Sequence, residues 1–70
     1  MPDKKSQVSA KYFQTYRKTD RITLIDAMNI IDRHEAVVDN LIRKGKSITA
    51  IVKAVYKVEK VQKKEQEQYD

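Results

Sequence analysis

The chain has 70 residues and a net charge of +5 at pH 7, with 15 lysine or arginine residues against 10 aspartate or glutamate residues. It contains no cysteine and one histidine, which excludes disulfides and cysteine-based metal sites. A chain this short buries only about 60% of the surface that its unfolded form exposes, so the sequence favours a homo-oligomer. No apolar run is long enough for a membrane span or a secretion signal, and we expect a cytoplasmic protein.

The charge pattern divides the chain into three parts. Residues 1–7 are predicted to form a flexible basic arm, residues 8–63 a single helical domain, and residues 64–70 a polar tail.

Three aromatic residues, Tyr12, Phe13 and Tyr16, lie among basic residues near the N-terminus. These rings either stack on nucleic-acid bases or, together with Val8, form a helical stripe that caps the hydrophobic core. The two interpretations are compatible if the rings face inward and the nearby cations face outward. These cations are Lys11, Arg17 and Lys18.

A long helix is predicted over residues 23–44, beginning at a capping box formed by Thr23 and Asp26. Its apolar arc is wider than the roughly 100° that packing against one neighbour requires. We therefore expect a second copy of the chain to cover the surplus. The residues of this arc are Leu24, Ala27, Met28, Ile30, Ile31, Val37, Val38, Leu41 and Ile42.

His34 lies near the middle of this arc and has two interpretations. In the first interpretation it is a histidine of the core or interface, with one ring nitrogen hydrogen-bonded. In the second it makes the stability of the dimer sensitive to pH. His34 and Glu35 resemble the start of a zinc-protease motif, but Val38 occupies the position of the second histidine. No nucleophile, metal site or phosphate loop remains, so we expect no enzymatic activity, no cofactor and no small-molecule substrate.

The segment Lys44–Ser47 is typical of a helix end followed by a helix start. Gly45 suits the left-handed position after the first helix, and Ser47 is a good N-cap for the second. The second helix is predicted over residues 48–63.

Four lysines of the second helix, Lys53, Lys57, Lys60 and Lys64, are spaced so that they form one stripe. Like charges at such spacings cost a helix about 0.2–0.5 kcal/mol per pair, and the nearest acid, Glu59, lies near the apolar edge. The simplest use of such a stripe is to bind a polyanion, most commonly nucleic acid.

These elements predict an all-α fold, an antiparallel helical hairpin with a short N-terminal aromatic segment that dimerises into a four-helix arrangement. The expected core and dimer residues are Leu24, Met28, Ile31, Val38, Leu41, Ile51 and Val55.

Two resemblances to DNA-binding families accompany this prediction. Arg21–Ile25 and the turn at Gly45 resemble the strand and turn of ribbon-helix-helix regulators, whose paired strands read bases through positions such as Arg21, Thr23 and Ile25. That alternative fold implies a first helix shorter than the one predicted here.

Residues 37–55 also resemble small accessory DNA-binding proteins of plasmid conjugation, through the run Leu41, Ile42, Gly45, Ser47 and Ile51. The run looks like the opening of a helix-turn-helix, although no glycine or asparagine follows where its tight turn belongs. The resemblance implies a protein of a mobile genetic element.

The sequence thus favours a small dimeric DNA-binding protein, a regulator or accessory factor of a plasmid, phage or related element. Duplex DNA is the expected partner, and no membrane partner is expected. The expected phosphate contacts are Lys46, Lys53, Lys57, Lys60, Lys64, Lys11, Arg17 and Lys18. The alternative is a protein–protein interaction module or small inhibitor that acts on another protein's surface.

Overall fold

The computed structural model describes the backbone of residues 4–68 and the side chains of residues 4–61. It contains four α-helices and, over these residues, no strand, which confirms the all-α class. The helices are α1 (Lys4–Tyr16), α2 (Leu24–Arg33), α3 (Glu35–Arg43) and α4 (Ile48–Gln68).

The N-terminal part of the chain is a helix rather than an arm and a short aromatic segment. Helix α1 begins at Lys4, so residues 4–7 are helical, whereas residues 1–3 lie outside the described part. Val8 and Tyr12 are fully buried, and Tyr16 packs against the core. The predicted inward-facing stripe is therefore confirmed, and it makes α1 a full member of the bundle.

Helix α2 begins at the predicted capping box. Thr23 Oγ1 accepts a hydrogen bond from the Asp26 N–H at 3.2 Å, and Asp26 Oδ2 accepts one from the Thr23 N–H at 3.0 Å. Arg21 has a positive φ of 53°, and Ile25 lies in the first turn of α2. The ribbon-helix-helix alternative predicts a strand at this position, and that prediction is therefore wrong.

The prediction of one continuous helix over residues 23–44 is also wrong, because the helix breaks at His34. His34 adopts φ −107° and ψ 32°, outside helical geometry, and serves as both the end of α2 and the start of α3. Helix α2 packs mainly against α1, whereas α3 packs mainly against α4. The wide apolar arc is thus divided between two neighbours within one chain, and its width no longer requires a second copy.

The turn between α3 and α4 has the predicted capping. Gly45 has φ +76°, its N–H donates to the Ile42 carbonyl at 3.0 Å, and the Lys46 N–H donates to the Leu41 carbonyl at 3.1 Å. This pair of bonds is the Schellman motif. Ser47 Oγ then accepts from the Ala50 N–H at 3.2 Å and caps α4.

The core lies where the four helices meet. Of the predicted core residues, Ile31, Val38, Ile51 and Val55 are fully buried and Leu41 packs against them. Leu24 and Met28 do not belong to the core, since 45% and 48% of their surface is exposed. The residues that complete the buried cluster are Val8, Tyr12, Ala27 and Val52.

Candidate nucleic-acid interface

Helix α4 has one buried side and one cationic side, as its sequence predicts. Ile51, Val52 and Val55 are buried, whereas Lys53 and Lys57 on the opposite side are exposed. No carboxylate among the described side chains forms an ion pair with either lysine. Two positive charges one helical turn apart therefore remain available to an external anion.

Lys60 differs from these two lysines because it has a partner within the chain. Its Nζ lies 3.1 Å from Oδ2 of Asp20 and 5.1 Å from the centroid of the Tyr56 ring. The hydrogen bond to Asp20 raises the pKa of Lys60 above its ordinary value, against a smaller opposing effect of burial. This lysine is thus partly neutralised. The predicted fourth member of the stripe, Lys64, lies in α4, but its side chain is outside the described residues.

A tyrosine cluster joins α1 to α4. The rings of Tyr16 and Tyr56 are stacked, with centroids 3.7 Å apart and planes 6° from parallel, and Tyr12 packs at a tilt 5.0 Å from Tyr16. The Tyr56 hydroxyl donates to Oδ1 of Asp20 at 3.3 Å. Burial is the main cause that raises the pKa of both Tyr12 and Tyr16. Because these rings contact one another, they hold the two basic helices side by side.

The Tyr16–Tyr56 stack brings basic residues of two helices into one neighbourhood. Arg17 and Lys18 directly follow Tyr16, in the turn after α1, and Lys57 directly follows Tyr56; all three are exposed. The Arg17 guanidinium lies 5.8 Å from the Phe13 ring, which orients it. Two further predicted contacts, Lys11 on α1 and Lys46 in the turn before α4, are also exposed.

Several acidic side chains of α2 and α3 are engaged elsewhere. Lys5 of α1 lies 2.9 Å from Asp32 and 3.3 Å from Glu35, and these contacts, Asp32 first, raise its pKa. The single acid of the lysine-rich segment, Glu59, contacts Arg33 at 3.4 Å. The exposed cations that follow Tyr16 and Tyr56 in the chain therefore have no carboxylate partner among the described side chains.

The predicted interpretation of His34 as a core histidine is confirmed. Its side chain is 5% exposed, and Nε2 donates to Oε2 of Glu59 at 2.5 Å. The position of Glu59 near the apolar edge of α4 was a signal for this contact. Asp20, which anchors both Lys60 and Tyr56, was missed because no local pattern links residue 20 to residues 56 and 60.

The arrangement offers a positively charged surface. Within the described part of the chain, no group of three or more histidine, cysteine or carboxylate side chains is placed to hold a metal ion. No helix over those residues is long and apolar enough to cross a membrane. Comparison of the chain with protein-family models, curated proteins and solved structures found no match.

Proposed function

We propose that this chain is a small DNA-binding protein that acts as a homodimer and contacts phosphates through the cations of α1 and α4. The observation that carries the proposal is that Lys53 and Lys57 are exposed and without a carboxylate partner among the described side chains. Further support comes from Arg17 and Lys18, two exposed cations that directly follow Tyr16, whose ring stacks on Tyr56 of α4.

The cost of the unpaired lysines supports a role for them. Like charges one turn apart destabilise a helix by about 0.2–0.5 kcal/mol, and a small domain has little stability to lose. Lys60 shows that the chain does pair a lysine where a carboxylate is nearby. A surface that leaves Lys53 and Lys57 unpaired is suited to an external polyanion, whose phosphates supply the missing negative charge.

The side chains of this surface favour backbone contacts over base recognition. Lysine binds phosphate as a point charge and carries no sequence information in that contact. We therefore expect affinity with a strong salt dependence and weak sequence preference. A regulator or accessory factor of a mobile genetic element, as the sequence resemblance implies, fits this mode of binding.

The proposal is tested by measuring duplex DNA binding as a function of salt concentration. Replacing both Lys53 and Lys57 by glutamine removes two phosphate contacts from each chain and four from the dimer, so the slope of log K against log salt becomes shallower by about 3.6. The matched control replaces Arg43 and Lys44 by glutamine, which removes the same charge from the exposed end of α3. Binding that is insensitive to salt, or an equal change in slope for both pairs, contradicts the proposal.

A further inference from the structure

Helix α2 carries an exposed apolar patch, which we call the α2 face and define as Leu24, Ile25 and Met28. Ile25 is 69% exposed, and the other two are about half exposed. Among the described side chains only one other large hydrophobic residue, Val61 of α4, is exposed to this degree. Three of the four such residues therefore lie within little more than one turn of a single helix.

The α2 face continues into a groove between α1 and α2. Leu24 and Met28 of α2 line this groove opposite Ser9 and Ala10 of α1, and the ion pair of Lys5 with Asp32 also lines it. The small side chains of Ser9 and Ala10 leave room beside Leu24 and Met28 for a large apolar side chain to enter from outside. The groove thus complements the patch beside it, as a self-associating surface requires.

The charges at the two ends of the α2 face are opposite. Arg21 lies just before α2, whereas Asp32 lies in the last turn of α2 and Glu35 begins α3. The two carboxylates share one cation, Lys5, and both remain more than half exposed, so this end keeps a net negative charge. A two-fold axis through Met28 reverses the direction of α2 in the second copy. Arg21 of each copy then meets the acidic end of the other, and the two Met28 side chains meet at the centre.

We infer that two copies of this chain pair through their α2 faces, with the two α2 helices antiparallel about an axis at Met28. This inference names the surface of the homodimer in the proposed function and rests on it. The charge complementarity favours a second copy over an unrelated partner, because Arg21 precedes the α2 face and the carboxylates of Asp32 and Glu35 follow it. Lys53 and Lys57 lie on α4 and are not part of the surface that pairs.

The first test is sedimentation equilibrium of the full chain. The wild-type protein should have twice the 8.2 kDa mass of one chain. Replacing both Ile25 and Met28 by lysine should raise the dimer dissociation constant by at least about 30-fold, the effect of losing a hot spot. Val61→Lys changes an apolar residue on α4 that is as exposed as Met28, and it should leave the dimer intact. A monomeric wild-type protein, or equal effects of the two changes, overturns the inference.

A charge exchange tests the antiparallel arrangement, with far-UV circular dichroism used to verify that each variant is folded. Arg21→Glu should weaken the dimer, and adding Glu35→Arg should restore it. Failure of the second change to restore association overturns the proposed axis.

The two proposals fail in different ways. A dimer that binds duplex DNA in a salt-dependent manner but is not weakened by Ile25→Lys plus Met28→Lys overturns the α2 pairing alone. A dimer that binds no DNA overturns the proposed function alone.

Discussion

Removing the Glu59 carboxylate should destabilise the fold, although Glu59 lies in the lysine-rich helix. In Glu59→Leu, the buried His34 N–H loses its acceptor at 2.5 Å and cannot reach water easily, since that side chain is 5% exposed. Leaving a buried donor without a partner costs about 1–3 kcal/mol. The contact with Arg33 adds little, because at 3.4 Å and 58% exposure it is a surface ion pair.

Replacing His34 instead of Glu59 should cause a smaller loss of stability, and this difference makes the prediction specific. In His34→Leu the remaining carboxylate is 20% exposed, so it keeps Arg33 and solvent as partners. The double variant His34→Leu plus Glu59→Leu leaves no orphaned polar group. Its loss of stability should therefore be smaller than the sum of the two single losses, by about 0.5–3 kcal/mol for a directly contacting pair.

The assay is urea unfolding at pH 7, followed by far-UV circular dichroism. For a domain of this size each kcal/mol lowers the melting temperature by about 4–8 °C, so thermal unfolding gives an independent measurement. Asp39→Leu is the control, because Asp39 is an exposed carboxylate of α3 and should change stability by no more than about 0.5 kcal/mol. The reasoning is refuted if Glu59→Leu matches this control, or if the losses from the single variants simply add.

Three further predictions concern stability. Ile31→Ala should cost about 2–5 kcal/mol in urea unfolding, because the side chain is fully buried where α2 meets the core, whereas Val61→Ala at an exposed site should stay within about 0.5 kcal/mol. Gly45→Ala should lower the free energy of unfolding by about 1–2 kcal/mol, measured by thermal unfolding. The added Cβ meets nothing within 4 Å, so the loss comes from the φ of +76° alone. An unchanged melting temperature would contradict that origin. Burial, and then the charges of Glu59 and Asp20, raise the pKa of Tyr12, so the folded state resists its ionisation. Stability should therefore fall as the pH rises above about 10, the ordinary tyrosine pKa, and Tyr12→Phe should flatten that fall in alkaline unfolding curves; parallel curves for the two proteins would contradict it.

The ends of the helices were predictable because their hydrogen bonds are local. The Thr23–Asp26 capping box, the turn at Gly45 and the Ser47 cap each join residues within a few positions of one another. The same holds for the division of α4 into a buried and a cationic side, since helical periodicity alone separates Val55 from Lys57.

The tertiary structure alone decided what each helix packs against. Nothing in the composition around His34 marks a helix end, yet the chain breaks there so that α2 and α3 can pack on α1 and α4, and so that the imidazole reaches Glu59. In the same way, the stripe of like residues suggested an equal role for Lys53, Lys57 and Lys60, but Asp20 neutralises the last of them. Contacts between residues 25 to 40 positions apart depend on how the helices are arranged in space, and periodicity within one helix carries no information about that arrangement.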